Sequence, residues 1–131
     1  MSTTRNQGAT KAGEGRFVFD LGKLDRIKVG GAYSPAEGPV VEGERMQVGL
    51  ITIPRGTASQ PHSHPNEQWT YVLKGKARVH VAGQAETLAT PGTLIYSPAN
   101  VVHSVEVLPE EDLVLFTVKD LSHGIVGTPA R

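Results

Sequence analysis

From Phe17 onward the chain is a series of strand-length apolar runs cut apart by glycine- and proline-bearing turns. The runs are RFVFDL, RMQVGLITI, WTYVL, ARVHVA, TLIYS, HSVEVL and DLVLFTV. Each is rich in Val, Ile, Thr or aromatic residues, which pack well on a pleated surface. The segments between them, PRG, LKGK, AGQAE, ATPG and SPAN, carry turn chemistry rather than helix caps. No helical period is sustained over ten residues. Seven or eight strands at this spacing predict an all-β domain built as a sandwich or barrel.

At 131 residues the chain can bury one core but not two. Residues 1–16, MSTTRNQGATKAGEGR, are small, polar and glycine-rich, with too little apolar surface to offset the entropy of ordering. They are expected to form a flexible tail, and residues 17–131 the single domain. The tail has no apolar core of a signal peptide, and no segment carries the ~20 apolar residues of a membrane helix. Thirteen basic and thirteen acidic side chains cancel, so neither nucleic acid nor a membrane surface is an expected partner. A small molecule or another protein is. With no cysteine, disulfides and thiolate metal sites are excluded and a cytoplasmic location fits. Any metal must use nitrogen and oxygen ligands.

One stretch raises a chemical question: PHSHPNEQWTYVLKG, residues 61–75. Side chains alternate across a strand, so His62 and His64 face the same side. A single histidine in a β protein is usually a hydrogen-bonded core or surface residue. Two with one residue between them, flanked by Pro61 and Pro65, are a natural pair of metal ligands.

The spacing continues in both directions. Gly56, five residues, His62-Ser63-His64, three residues, Gln68, six residues and Gly75 form one pattern over 56–75. Within PGTLIYSPANVVH, 91–103, Pro98-Ala99-Asn100, two residues and His103 form a second. In this order they resemble the two signature motifs of the cupin superfamily. Its first motif runs Gly, five residues, His-x-His, three or four residues, Glu, six residues, Gly; its second runs Pro-x-Gly, two residues, His. Gln68 stands where the carboxylate is usual, and Asn100 where the second glycine is. Asn also visits positive φ readily. The resemblance covers roughly residues 45–118 and implies a double-stranded β-helix, the jelly-roll barrel. Carried over residue by residue, it implies a metal site of His62, His64, Gln68 and His103. Three neutral imidazoles and an amide oxygen suit one divalent transition metal, such as Zn, Ni, Mn or Fe.

Glu67 competes for the fourth position, because a carboxylate binds a cation better than an amide does. Counting back from Gly75 puts Glu67 and Gln68 on opposite faces. This favours Gln68 as ligand and leaves Glu67 at the rim, in a salt bridge or as an acid–base candidate. The resemblance agrees, since small cupins that process unsaturated uronates pair His-x-His with Gln and a later His. His80, between Val79 and Val81, is expected to face solvent or a partner subunit, and His123 lies in a glycine-bearing loop; neither joins the site. Met46, Val48, Tyr96 and Phe116 are candidates for the pocket wall. Tyr96 is also the catalytic candidate, as a phenol able to donate to a substrate oxyanion. Arg45 is either an anchor for a substrate carboxylate or a solvated rim residue.

Three functional expectations result. The first is a metal-dependent enzyme acting on a small oxygenated metabolite by isomerase, lyase or hydration chemistry, with the ion polarising a carbonyl or enolate. The uronate-processing cupins tend to carry Asp-x-Phe on the last barrel strand, where Phe116 and Val118 align here. That departure bears on whether their substrate carries over and not on the metal. The second is an Fe(II)-dependent dioxygenase, whose usual ligands are two histidines and a carboxylate. The third is a non-catalytic metabolite-binding barrel. Trp69 and Tyr71 share the face opposite Gln68 and form an outward apolar patch, which a homodimer would cover; small cupins are often dimers. Phe17 and Phe19 folding back over the patch is the alternative.

Overall fold

Burial alternates residue by residue along MQVGLITI: Gln47, Gly49, Ile51 and Ile53 are buried, while Met46, Val48, Leu50 and Thr52 are not. One core face and one outer face is the pattern of a half-buried strand. The structure is a computed structural model describing residues 8–122 and 127–130, so His123 lies outside the described residues. Its strands are β1 (Thr10–Lys11), β2 (Ile27–Lys28), β3 (Glu37–Gly38), β4 (Val40–Glu42), β5 (Met46–Ile53), β6 (His62–Ser63), β7 (Gln68–Lys74), β8 (Ala77–Val81), β9 (Thr87–Ala89), β10 (Leu94–Ser97), β11 (His103–Val107), β12 (Leu113–Asp120) and β13 (Thr128–Pro129). Two 3₁₀ turns, Leu21–Lys23 and Gly31–Tyr33, are the helical elements among the described residues.

One sheet runs β1-β4-β5-β12-β7-β10, with β3 added to β5 and β2 to β3; the other runs β13-β6-β11-β8-β9. The chain passes back and forth between them, from β5 to β6, back to β7, across to β8 and β9, back to β10, then to β11 and β12. This winding is the double-stranded β-helix expected from the sequence. Between the sheets, Ile51, Ile53, Val72, Leu113 and Leu115 meet Ala77, Val79, Ala89 and Val107. Each large aliphatic side chain buried there contributes about 1.5–3 kcal/mol.

Two turns are fixed by backbone conformation. Gly75 has φ +85°, and a Cβ there would stand 2.5 Å from the carbonyl oxygen of Asp112. Asn100 takes the glycine-like φ of 64° anticipated for it. Its N–H donates to the His64 carbonyl at 2.8 Å, tying the second motif to the first.

Two expectations are corrected. RFVFDL pairs with no strand: Phe17 is 77% exposed, Gly13 and Arg16 bond to each other instead, and Asp20 caps the first 3₁₀ turn by accepting from the Gly22 N–H. An apolar run without a neighbouring strand has nothing to complete its hydrogen bonds. The described part of the expected tail, by contrast, is held. β1 pairs in parallel with β4, and the Lys11 ammonium bonds the carboxylate of Glu42, which is fully buried. A carboxylate buried without a partner costs several kcal/mol, so the cation orders the segment carrying it.

Candidate metal centre

Antiparallel pairing of β6 with β11 sets His62 directly opposite His103, and His64 follows one residue beyond β6. The ring centroids of His62 and His103 are 4.4 Å apart, and those of His64 and His103 4.9 Å. One ligand nitrogen from each of the three histidines lies within 4.8 Å of the others. Tyr33 packs on His62 with centroids 4.2 Å apart, and its hydroxyl accepts from the Gly127 N–H at 2.7 Å. That bond fixes the ring that supports His62.

The hydrogen bonds decide the tautomers. His62 Nδ1 lies 2.7 Å from the Gln60 carbonyl, His64 Nδ1 3.0 Å from that of Asn66, and His103 Nδ1 3.0 Å from that of Val101. A carbonyl only accepts, so each Nδ1 must carry the proton and donate it. Every Nε2 is thereby left with an unprotonated lone pair, the state a metal ligand needs. Burial reinforces this. Desolvation first, then Lys119 and His103, lowers the His64 pKa to about 4. Desolvation also lowers His103 to about 4, against the bond to Val101 and with help from His62 and Lys119. The His62 pKa is lowered too, chiefly by desolvation. The three histidines are therefore neutral at pH 7 and fit a divalent ion.

They open onto a cavity of ≈ 120 Å³ inside the barrel, enough for several waters or one small organic molecule. Gln68 lines the same cavity, and its Nε2 donates to Thr70 Oγ1 at 2.9 Å. Among the lining residues that sequence reading missed are Gln47 and Lys119. Lys119 lies between Gln47 on β5 and Gln68 on β7 in the strand register. Desolvation lowers its pKa to about 8, against the attraction of Asp120. The signal was available, because β12 alternates and its inward phase is Leu113, Leu115, Thr117 and Lys119.

Other expected pocket residues lie elsewhere. Tyr96 is paired with Trp69 and stacked on it at 4.6 Å, 43% exposed on the outer face; Ile95 and Ser97 take the inward positions. Glu67 is exposed, shares a hydrogen bond with the Tyr96 phenol and donates its N–H to Asp120 Oδ2 at 2.7 Å. Neither Tyr96 nor Glu67 reaches the cavity. Met46 and Arg45 are exposed. Phe116 is in the opposite phase to Leu115 and Thr117, beside Leu50 and Tyr71. Val48 borders the cavity between Gln47 and Gly49, but its side chain shares the phase of Met46. His80 is exposed and bonds Glu86 at 2.9 Å, as its strand phase requires.

Comparison with known proteins agrees with this architecture. The family model described as Cupin domain matches residues 49–119. An uncharacterized protein of Streptomyces coelicolor is 31% identical over 99 residues, spanning 76% of this chain and 90% of that protein. An RmlC-like cupin from Shewanella frigidimarina superimposes with TM-score 0.67 at 19% identity, over 82% of this chain and 91% of its own. The DMSP lyase DddQ from Ruegeria pomeroyi gives TM-score 0.56 at 19% identity, over 63% of this chain. Only 41% of the lyase is covered, so this chain spans less than half of its length. No helix among the described residues is long and apolar enough to cross a membrane. With a matching family model, the jelly-roll winding and a histidine triad contributed by both signature motifs, this chain belongs to the cupin family.

Proposed function

We propose that the chain is a metal-dependent enzyme acting on a small oxygenated metabolite by isomerase, lyase or hydration chemistry. The observation that carries this reading is the triad: three imidazoles with ligand nitrogens within 4.8 Å of one another, each with Nδ1 bonded to a backbone carbonyl so that Nε2 is the nitrogen left free, at the wall of the cavity. Gln68 is the proposed fourth ligand through Oε1, since its Nε2 is engaged by Thr70. A bound divalent ion supplies Lewis acidity, polarising a carbonyl or enolate and acidifying water. Around it the protein holds the imidazoles neutral, keeps bulk water out with Ile51, Val72 and Leu115, and sets Lys119 beside the substrate space. The same barrel houses a DMSP lyase at 19% identity, so the fold accommodates lyase chemistry.

The dioxygenase reading is weakened by the cavity wall, which carries no carboxylate among the described residues. Turnover assays of metal-replete and chelated protein on sugar acids, β-diketones and catechols test the proposal. Metal-dependent conversion of a sugar acid without O₂ uptake is expected. Oxygen consumption with a catechol or diketone would favour the dioxygenase instead, and ligand binding without turnover the non-catalytic barrel.

The proposal includes a homodimer. Trp69, Tyr71, Leu94 and Tyr96 are all large side chains at least two-fifths exposed on the outside of one sheet. The N-terminal segment leaves them open, with Phe17 itself exposed. A second copy using the same face twice would bury both.

A further inference from the structure

We propose that Gln47 and Lys119 form an anion-binding subsite that selects a substrate bearing a carboxylate; this rests on the metal-centre reading and adds the substrate class. Gln47 is only 2% exposed and lines the cavity. Neither its Nε2 nor its Oε1 has a hydrogen-bond partner among the described residues. A buried amide left unbonded costs the fold more than an apolar side chain of the same shape. Its presence at the cavity wall is accounted for by a ligand that bonds it.

Lys119 stands beside it, one strand over in register, and also lines the cavity. The acidic group that attracts it is the adjacent Asp120, whose carboxylate is committed to the N–H groups of Glu67 and Ser122. No Asp or Glu lines the cavity among the described residues. With neutral histidines and no carboxylate in the wall, the Lys119 ammonium gives the cavity an excess of positive charge, which a bound dication would increase. Two donors, the Gln47 amide and the Lys119 ammonium, match the two oxygens of one carboxylate. The rest of such a molecule would then extend toward the histidines, placing its carbonyl or hydroxyl at the metal.

Calorimetric titration of the full chain at pH 7.5 with pyruvate, with its neutral analogue pyruvamide and with inorganic phosphate tests this, metal content being measured on every sample. The wild type is expected to favour pyruvate over pyruvamide by about 10- to 100-fold, the range for hydrogen bonds to a charged group. Phosphate should bind more weakly than pyruvate. Lys119→Met and Gln47→Leu should each remove most of that preference with metal content unchanged, and Lys119→Arg should keep it. Gln47→Leu should also raise the melting temperature, a gain that a purely structural glutamine would not give. Equal affinity for pyruvate and pyruvamide, phosphate binding as tightly as pyruvate, no binding of pyruvate, or variants that discriminate as the wild type does would each overturn the subsite. If the wild type discriminates through Lys119 but holds no metal, the subsite stands and the metal reading falls. If metal is present and discrimination absent, the subsite alone falls.

Discussion

Taking chelator-treated protein from pH 7.5 to pH 5 should remove about 4 kcal/mol of folding stability. His64 and His103 are held at about 4 in the folded chain, against about 6.5 when unfolded. Depressed base pKa values mean that the unfolded chain takes up protons first. The stability tied to these rings is complete above pH 6.5 and declines as pH falls toward 4. At pH 5 the loss is about 2 kcal/mol for each ring, or about 4 for both. His62 adds to it in the same direction. Asp112 and Asp120 have lowered pKa values, so their contribution fades only as pH drops into the ordinary carboxylate range, leaving the histidines to dominate above pH 5. Lys119, lowered to about 8, acts between its unfolded value and about 8 and is nearly constant below 7.5. Since whole domains are stable by roughly 5–15 kcal/mol, the effect is large. Urea unfolding followed by Trp69, the single tryptophan, at fixed protein concentration measures it. A change below about 1 kcal/mol, or the same change in a His64→Gln, His103→Gln double variant, would refute the reasoning.

Gln68→Ala should weaken metal affinity more than Glu67→Ala does, by metal-competition titration; the reverse order would place the ligand on the outer face. Gly75→Ala should destabilise by about 2 kcal/mol or more in urea, because a Cβ meets the Asp112 carbonyl at a positive φ; an unchanged midpoint would show that the turn relaxes. Light scattering at micromolar concentration should give a dimer mass for the wild type and about 14 kDa for a Trp69→Glu, Leu94→Glu variant. A wild-type monomer would leave the aromatic face without a partner.

The strand series and the two histidine motifs were legible because both obey simple periodicities. Asn100 could be placed in a positive-φ turn from residue chemistry alone, and its bond to His64 shows why the turn matters. The pocket wall expected from the sequence is out of phase with the structure on three strands, where Gln47, Ser97 and Thr117 line the cavity in place of Met46, Tyr96 and Phe116. Hydropathy could not separate the faces, since the outer face of this sheet is itself apolar, with Trp69, Tyr71 and Leu94 exposed. Strand pairing supplies the missing constraint, as Tyr96 must share the face of Trp69 opposite it. Polar residues inside the barrel, Gln47 and Lys119, look like surface positions until that phase is known. β1 escaped notice because two residues and one ion pair to Glu42 carry no pattern.

Mass-spectrometric metal analysis of protein purified without chelators tests the metal centre most directly. The triad predicts one divalent ion per chain in the wild type, and its loss in His62→Ala and in His103→Ala while circular dichroism still reports a β fold. An empty wild type after incubation with Zn, Ni, Mn or Fe salts, or full occupancy in either variant, would contradict it.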